Sequence, residues 1–485
     1  MSDTTRRKFL QSSAMGLVAA TSIGEISRAD TKFEDAQTSG AGSPNRSGEI
    51  ACHVTTGTSR FERKAPLRWE AASGAAAEDA ILLDPSKKSQ EVLGFGAALT
   101  DAACFVLNQL PASKRDQLLH ELFHPSEMGL SVCRTCIGAS DYSTKVYSFD
   151  EGDPDPELKR FSIDHDREYI LPILRETRKV NPGLFLFSSA WSPPGWMKSG
   201  GSMLGGSMRR RYLGVYADYL RKFLQGYSAD GVPVQAITVQ NEVDTDQDAR
   251  MPACIWPQEY EIEFVRDHLG PLLERSAINT KIWILDHNFN LWGRATCELD
   301  DPGVRRYSNA VAWHGYVGTA EMITKVHDAH PDAEMYWTEG GPDITSHDYE
   351  TDWAKWGETF TVVLRNWCRA ITAWNLALDE HGNPNIGPFP CGGVVTVNSG
   401  TKEITRSGQY WALAHFSRGV QRGARRFDSA GTLPGVSHVA FENPDGTKVA
   451  VVTNRGSARK ASLRIGSLKA DVTLPADSLS TFAWS

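Results

Sequence analysis

The sequence predicts an α/β chain: a (β/α)8 TIM barrel with an attached all-β sandwich built from the segments before and after it. Three observations predict this. From Val92 to Trp374, short runs rich in β-branched and aromatic residues alternate with helical patterns, which implies a parallel sheet. There are eight such runs, the number that closes into a barrel. After Gly392 the rhythm changes to short strands separated by turns, and similar pieces occur before residue 85. A chain of 485 residues suits a large barrel with an accessory domain.

The elements follow in order. Thr5-Arg6-Arg7-Lys8-Phe9-Leu10 and the apolar run Ala14–Ala20 read as a twin-arginine export signal within residues 1–30. That run is too short for a membrane anchor, and no later stretch reaches the ~20 apolar residues of a membrane helix. Residues 31–48 are rich in Ser, Gly, Thr and Asn and read as a flexible linker. Residues 49–90 supply the first sandwich strands, 91–391 the barrel and 392–485 the rest of the sandwich. The first barrel strand closes at Gly94–Asp101, and a helix over Ala112–Phe123 follows. The second strand is Leu130–Ile137. Asp164 caps a helix to about Lys179, which Asn181-Pro182-Gly183 ends. The third strand is Leu184–Trp191. The helix Arg209–Tyr227 places Leu213, Tyr216, Leu220 and Phe223 on one face. Val234–Glu242, Lys281–Asp286, Ala310–His314, Glu334–Glu339 and Ala370–Trp374 complete the strands. Helices are expected over Pro257–Leu269, Ala320–His330 and Trp353–Trp367, and the one between the fifth and sixth strands has the weakest pattern.

Composition narrows the function. Hydrophobic residues make up 41% and charged residues 23%, with net charge −8, so there is no basic stripe for nucleic acid. The eight cysteines are scattered and read as buried free thiols. Cys133 and Cys136 form a lone CxxC without the second ligand pair that a zinc site requires.

In a barrel of this type the site lies at the C-terminal ends of the strands. The polar and aromatic residues at or just beyond those ends are Asp101, Arg134, Asp141, Trp191, Asn241, Glu242, Asp286, His314, Tyr316, Glu339 and Trp374. They make a cup of carboxylates with one arginine and two tryptophans, and lack a Gly-rich phosphate loop or a His/Cys metal cluster. Breaking an acetal needs one carboxyl that delivers a proton and another that is ionised beside the developing oxocarbenium ion. Glu242 and Glu339 end the fourth and seventh strands, nearly across the barrel. Burial and mutual repulsion of such a pair separate their pKa values. Asn241, just before Glu242, suits a hydrogen bond to the sugar 2-OH, and the flat tryptophan faces suit a sugar ring. Asp286 and His287 read as a supporting pair.

These residues also carry a resemblance. Gly94-Phe-Gly-Ala-Ala-Leu-Thr-Asp101, Ala190-Trp-Ser-Pro-Pro-Gly-Trp-Met-Lys198, Thr238-Val-Gln-Asn-Glu242, Trp337-Thr-Glu339 and Trp374-Asn-Leu-Ala-Leu-Asp379 resemble glycoside hydrolase family 30, the glucosylceramidase-like family, from about residue 50 onward. The resemblance implies a barrel with a β-sandwich and a retaining hydrolase of β-glycosides. Glu242 then corresponds to the acid/base and Glu339 to the nucleophile. Arg134, Asp141, Trp191, Asn241, His314, Tyr316 and Trp374 are the expected substrate-binding residues. Val243 stands where the family usually has Pro, and Tyr142 replaces a Phe. The substrate is expected to be a β-linked glycoside or glycolipid, with glucosylceramidase-like cleavage first. Alternatives are β-xylosidase, β-fucosidase or β-galactosidase, and β-1,6-glucanase activity, or a non-catalytic carbohydrate-binding barrel. No cofactor, metal, nucleic acid or transmembrane segment is expected.

Overall fold

The computed structural model describes residues 48–73 and 78–485. The expected export signal, and the linker apart from Gly48, lie outside the described residues. Eight parallel strands close into a barrel: β1 (Gly94–Ala98), β2 (Val132–Cys136), β3 (Phe185–Ser189), β4 (Ala236–Thr238), β5 (Lys281–Asn288), β6 (Ala310–His314), β7 (Glu334–Glu339) and β8 (Cys368–Ala373). Closure is direct, with Ala370 to Ala373 of β8 paired against Gly94 to Ala97 of β1. The barrel and attached sandwich are the architecture expected from sequence.

The lower interior is an apolar plug of Val132, Phe187, Ala236, Trp283, Ala310, Ala312, Tyr336 and Ala370. Large and small residues complement one another there: Trp283 stacks on Tyr336 at 4.1 Å, and alanines face them. Gly96 is required for closeness, since a Cβ there would lie 1.5 Å from the carbonyl oxygen of Val132. One pleat above the plug, alternation turns Arg134, Ser189, Thr238, His314 and Thr338 inward. β5 joins this layer by a bulge. Leu285 and Asp286 both have positive φ (71° and 46°), and the pairing with β6 slips between Ala312 and Trp313. The extra residue swings Asp286 inward, where simple alternation from Trp283 would place Leu285.

β4 is shorter than expected. Its ladder ends at Thr238, and the chain then crosses to its neighbours: the Asn241 N–H donates to Ala190 O (2.7 Å) and the Glu242 N–H to Asp286 O (3.0 Å). Several helices also differ from expectation. Asp101–Asn108 is a helix, with the Thr100 hydroxyl accepting from the Ala103 N–H at its start. The expected helix from Asp164 breaks at Tyr169 (φ −148°) into Asp164–Glu168 and Ile170–Val180. The helix over Gln258–Glu263 passes through a π turn, Phe264–Leu269, and continues as Gly270–Arg275. Between β5 and β6 lie two helices, Trp292–Asp300 and Pro302–Tyr307, the second capped by the Asp301 carboxylate.

The stretch beyond 392, expected to enter the sandwich at once, first forms two short strands, Val395–Val397 and Ile404–Arg406, in a small separate sheet with Ala377–Leu378, and then a helix over Gly408–Ser417. Tyr410, Leu413, Ala414, His415 and Phe416 in it are all buried, so it has no polar face and no helical periodicity to read. The sandwich strands then begin at Arg425. The segments before Val92 and after Ala424 join in one ten-stranded sheet over a core that includes Ile50, Ile81, Phe427, Val452, Leu463 and Phe482. Glu49–Thr56 pairs with Ser478–Trp484, so the two ends of the described chain meet there. Among the described residues no helix is long and apolar enough to cross a membrane. All eight cysteines are free thiols, and only Cys297 is exposed.

Candidate active site

The polar layer above the plug is a single connected network, and Asp286 is its centre. Its Oδ2 lies 2.8 Å from Arg134 Nη2, 2.8 Å from the Ser189 hydroxyl and 2.6 Å from the Thr238 hydroxyl. Its Oδ1 accepts from the Thr338 hydroxyl (2.8 Å) and from His314 Nε2 (3.1 Å). Burial alone would raise the pKa of this carboxyl, but Arg134 and His314 hold it well below the usual carboxylate range.

Arg134 is fully buried and uses its whole guanidinium. Nε donates to Ser189 Oγ (3.0 Å), Nη1 to Glu339 Oε2 (2.6 Å), and Nη2 to Asn241 Oδ1 (2.8 Å) as well as to Asp286. Its face lies 4.6 Å from the Trp191 ring and 5.5 Å from Trp374. Glu339, which has no basic neighbour in sequence, is therefore ion-paired by the fold. Its other oxygen accepts from the Tyr316 hydroxyl (3.0 Å). Both oxygens thus face donors, the setting of an ionised carboxylate.

Glu242 stands across the same space. Its φ is 54°, a left-handed conformation that costs a non-glycine residue on the order of 1 kcal/mol or more. Oε2 accepts from Gln247 Nε2 (2.6 Å), while Oε1 faces His314 Nδ1 at 3.5 Å and His287 Nδ1 at 3.9 Å. His314 Nε2 is 3.7 Å from Glu339 Oε2, so one imidazole touches both glutamates. Burial opposes its protonation, yet Glu339, Asp286 and Glu242 raise its pKa to about 9.

The wall beside this network is aromatic. Trp191 and Trp374 stack with ring centroids 5.0 Å apart, and Tyr142 meets Trp374 edge-on at 5.9 Å. The Tyr142 hydroxyl donates to Phe389 O (2.7 Å) and accepts from Cys391 N–H (2.7 Å), tying the loop after β2 to the loop after β8. Asp141 sits beside this joint, with its carbonyl accepting from Ile386 N–H. The loop that presents Trp191 is held by Lys198, whose buried ammonium donates to Ser192 Oγ, Met203 O and Ala253 O.

Arg134, Asp141, Trp191, Asn241, Glu242, His314, Tyr316, Glu339 and Trp374 thus line one cup or its wall. Asp101 stands apart: it accepts from Tyr169 OH (2.9 Å) and Thr144 N–H (3.1 Å) and meets His165 at 2.6 Å, so it anchors the loop after β2. Sequence reasoning missed Ser189, Thr238 and Thr338, although two-residue alternation from Phe187, Ala236 and Tyr336 would have placed them. It also missed Gln247, which opens a turn where Gln247, Asp248 and Ala249 all have positive φ. It found no histidine cluster, yet β4, β5 and β6 bring Glu242, His287 and His314 together with ligand atoms within 4.8 Å of one another.

The comparisons with known proteins agree with the fold. Residues 92–420 match the glycosyl hydrolase family 30 TIM-barrel domain, and residues 423–482 match that family's beta sandwich domain. Relatives include an endo-1,6-beta-D-glucanase of Neurospora crassa, 33% identical over 81% of this chain and 85% of that protein. A putative glucosylceramidase of Caenorhabditis elegans is 28% identical over 90% of this chain and 89% of its own. Among solved structures, an endo-beta1,6-glucanase aligns with TM-score 0.82 and 29% identity, covering 90% of this chain and all of that one. SrfJ from Salmonella typhimurium aligns with TM-score 0.86 and 26% identity, covering 90% of this chain and 99% of that one.

Proposed function

The chain belongs to glycosyl hydrolase family 30 and is a glycoside hydrolase, and from that premise we propose that it cleaves β-D-glucosidic bonds with retention, using Glu339 as nucleophile and Glu242 as acid/base. The observation that carries the assignment is the unequal setting of the two glutamates around His314. Glu339 receives the Arg134 guanidinium and the Tyr316 hydroxyl, which suits a carboxylate that attacks. Two cations, Arg134 and His314, balance Asp286 and Glu339; Glu242 is the carboxyl that can keep a proton without leaving an unbalanced buried charge.

The Glu339 carboxylate attacks the anomeric carbon. As the bond to the leaving oxygen breaks, Glu242 transfers its proton to that oxygen. Glu242, now ionised, takes a proton from water; the water oxygen attacks the same carbon, and the bond to Glu339 breaks. Arg134 holds the nucleophile in place throughout and keeps its charge. Asn241, fixed by Arg134 Nη2, presents its amide to the sugar 2-OH. Asp141, Trp191 and Trp374 bound the sugar on the aromatic side, and Tyr316 lies beside the reacting carbon.

Glucose as the sugar is supported by the relatives, since glucanases and glucosylceramidases both act on glucosyl groups. Glucosylceramidase-like cleavage is the first reading. The second is β-1,6-glucanase activity, favoured by the 33% identity to the Neurospora enzyme. Trapping with a 2-deoxy-2-fluoro-β-glucoside, digestion and mass spectrometry tests the nucleophile: the label is expected on Glu339, and a label on any other residue overturns the assignment. Parallel assays on glucosylceramide, β-1,6-glucan and aryl β-glucosides, β-xylosides and β-fucosides decide the substrate. Export through a twin-arginine signal is part of the proposal; replacing Arg6 and Arg7 with lysine is expected to keep the protein inside the cell.

A further inference from the structure

The cup contains an arrangement that acetal hydrolysis does not require. Nδ1 of His287 and Nδ1 of His314 have no hydrogen-bond partner, although both side chains are buried, 4% and 0% exposed. Both face the same oxygen, Glu242 Oε1, at 3.9 and 3.5 Å. Each ring is held from behind at its other nitrogen: His287 Nε2 by a short hydrogen bond to Asp244 Oδ1, and His314 Nε2 by Asp286 Oδ1 at 3.1 Å. A carboxylate behind Nε2 keeps a proton there and turns Nδ1 forward, and the His314 Nδ1 offers a lone pair once its own proton leaves. That is the arrangement by which carboxylates orient histidine ligands of a metal ion.

We propose that Glu242, His287 and His314 form a binding site for a first-row divalent cation, Zn2+ above all, and that the bound ion blocks turnover. Two nitrogens and one carboxylate oxygen make a donor set that suits Zn2+ rather than Mg2+ or Ca2+. With bonds of about 2.0–2.1 Å, a tetrahedral ion needs ligand atoms about 3.3–3.4 Å apart. The two glutamate–histidine edges are already near that length, and the three atoms lie within 4.8 Å overall, so a modest inward turn of one ring completes the site. Binding displaces any proton at His314 Nδ1 and takes Glu242 Oε1. The block on turnover rests on the reading of Glu242 as acid/base; the binding itself does not.

The test uses the full-length enzyme stripped with a chelator, with Zn2+ binding followed by calorimetry and Co2+ binding by its visible absorption. The expected result is one ion per chain and an intense tetrahedral Co2+ band, with Zn2+ affinity at least roughly tenfold weaker in His287→Gln and in Glu242→Gln. Asp244→Asn leaves the three ligands in place and is expected to weaken binding roughly 10–100-fold. Zn2+ should inhibit aryl β-glucoside hydrolysis, and chelation should restore it. The pair of exposed His120 and half-buried His124, stacked at 4.3 Å one helical turn apart, is the main competing site. Binding that survives His287→Gln and Glu242→Gln, or that disappears in His120→Ala, overturns the proposal, as does the absence of a tetrahedral band. Binding at this site without inhibition overturns the blocking role. Azide rescue of Glu242→Gly reports separately on the acid/base assignment. Near-ultraviolet circular dichroism confirms the fold of each variant.

Discussion

Two histidines, each fully buried, are kept in opposite states by two regions of the molecule. In the cup, His314 faces Glu242, Asp286 and Glu339, and its pKa rises to about 9. In the seam between barrel and sandwich, burial, reinforced by His53 and Arg418, lowers the pKa of His415 to about 3. The hydrogen bonds of His415 explain its neutrality atom by atom. The Thr481 hydroxyl donates to His415 O, so it accepts from Nδ1–H; the Thr55 hydroxyl accepts from the Phe61 N–H, so it donates to Nε2. Each polar atom of the ring is satisfied, and no site for a second proton remains. The seam buries polarity by pairing neutral groups, whereas the cup gathers charges that balance. A seam needs only to hold; a cup that cleaves an acetal needs charge in place before substrate arrives.

Exchanging roles between the regions should therefore have unequal effects. The largest belongs to Glu339→Gln, expected to lower kcat/KM on an aryl β-glucoside by on the order of 10^4-fold or more, as loss of a nucleophile does. Glu242→Gln should cost roughly 10^2–10^4-fold on substrates with poor leaving groups. With an activated aryl group the loss should shrink, because the departing oxygen then needs less protonation. Both follow from steady-state kinetics, and neither variant should change the thermal midpoint as much as the next one does. Asp286→Asn removes the carboxylate that faces both Arg134 and His314. It should destabilise the fold by about 3–5 kcal/mol, the cost of leaving buried charge uncompensated, measured by chemical denaturation.

The sequence shows the two regions with unequal clarity, and for the same physical reason. β6 and β7 are readable to the residue because Ala310–His314 and Glu334–Glu339 are compact runs bounded by turns. The glutamates were legible because a barrel places strand ends in one cup. Asp286 was legible as a strand-end candidate, but its place at the centre of the network was not: it turns inward only through the two left-handed residues of the β5 bulge, which periodicity does not register. Nor was the grouping of Glu242, His287 and His314, since spacing along the chain carries no information about three adjacent strands. In the seam, the helix over Gly408–Ser417 was invisible because it is buried on every side.

The pH dependence of stability sharpens the comparison, because the two histidines act in opposite directions. His314 has a folded pKa of about 9 against an ordinary value of 6.5, so its contribution is complete below pH 6.5 and lost as pH rises toward 9. His415 has a folded pKa of about 3, so its contribution is complete above pH 6.5 and lost as pH falls toward 3. His314 is worth about 3 kcal/mol and His415 about 5 kcal/mol, each across its window. Thermal midpoints should fall on both sides of a maximum near pH 6.5, and His314→Gln should flatten the alkaline side selectively.

The smallest effect is that of His415→Leu. The substitution fills most of the same space but leaves the hydroxyls of Thr55 and Thr481 without the ring between them. The Thr481 hydroxyl still has the carbonyl of residue 415 to donate to, and Thr55 keeps the Phe61 N–H as a donor. What is lost is therefore one acceptor for Thr55 and one donor for Thr481, about 1–3 kcal/mol of stability. Unfolding in urea measures it. Because the seam is neutral, kcat/KM should be unchanged at 25 °C, and the acid side of the stability profile should flatten. A loss of activity in the folded variant would mean that the seam transmits to the cup, and the division between a holding region and a reacting one would fail.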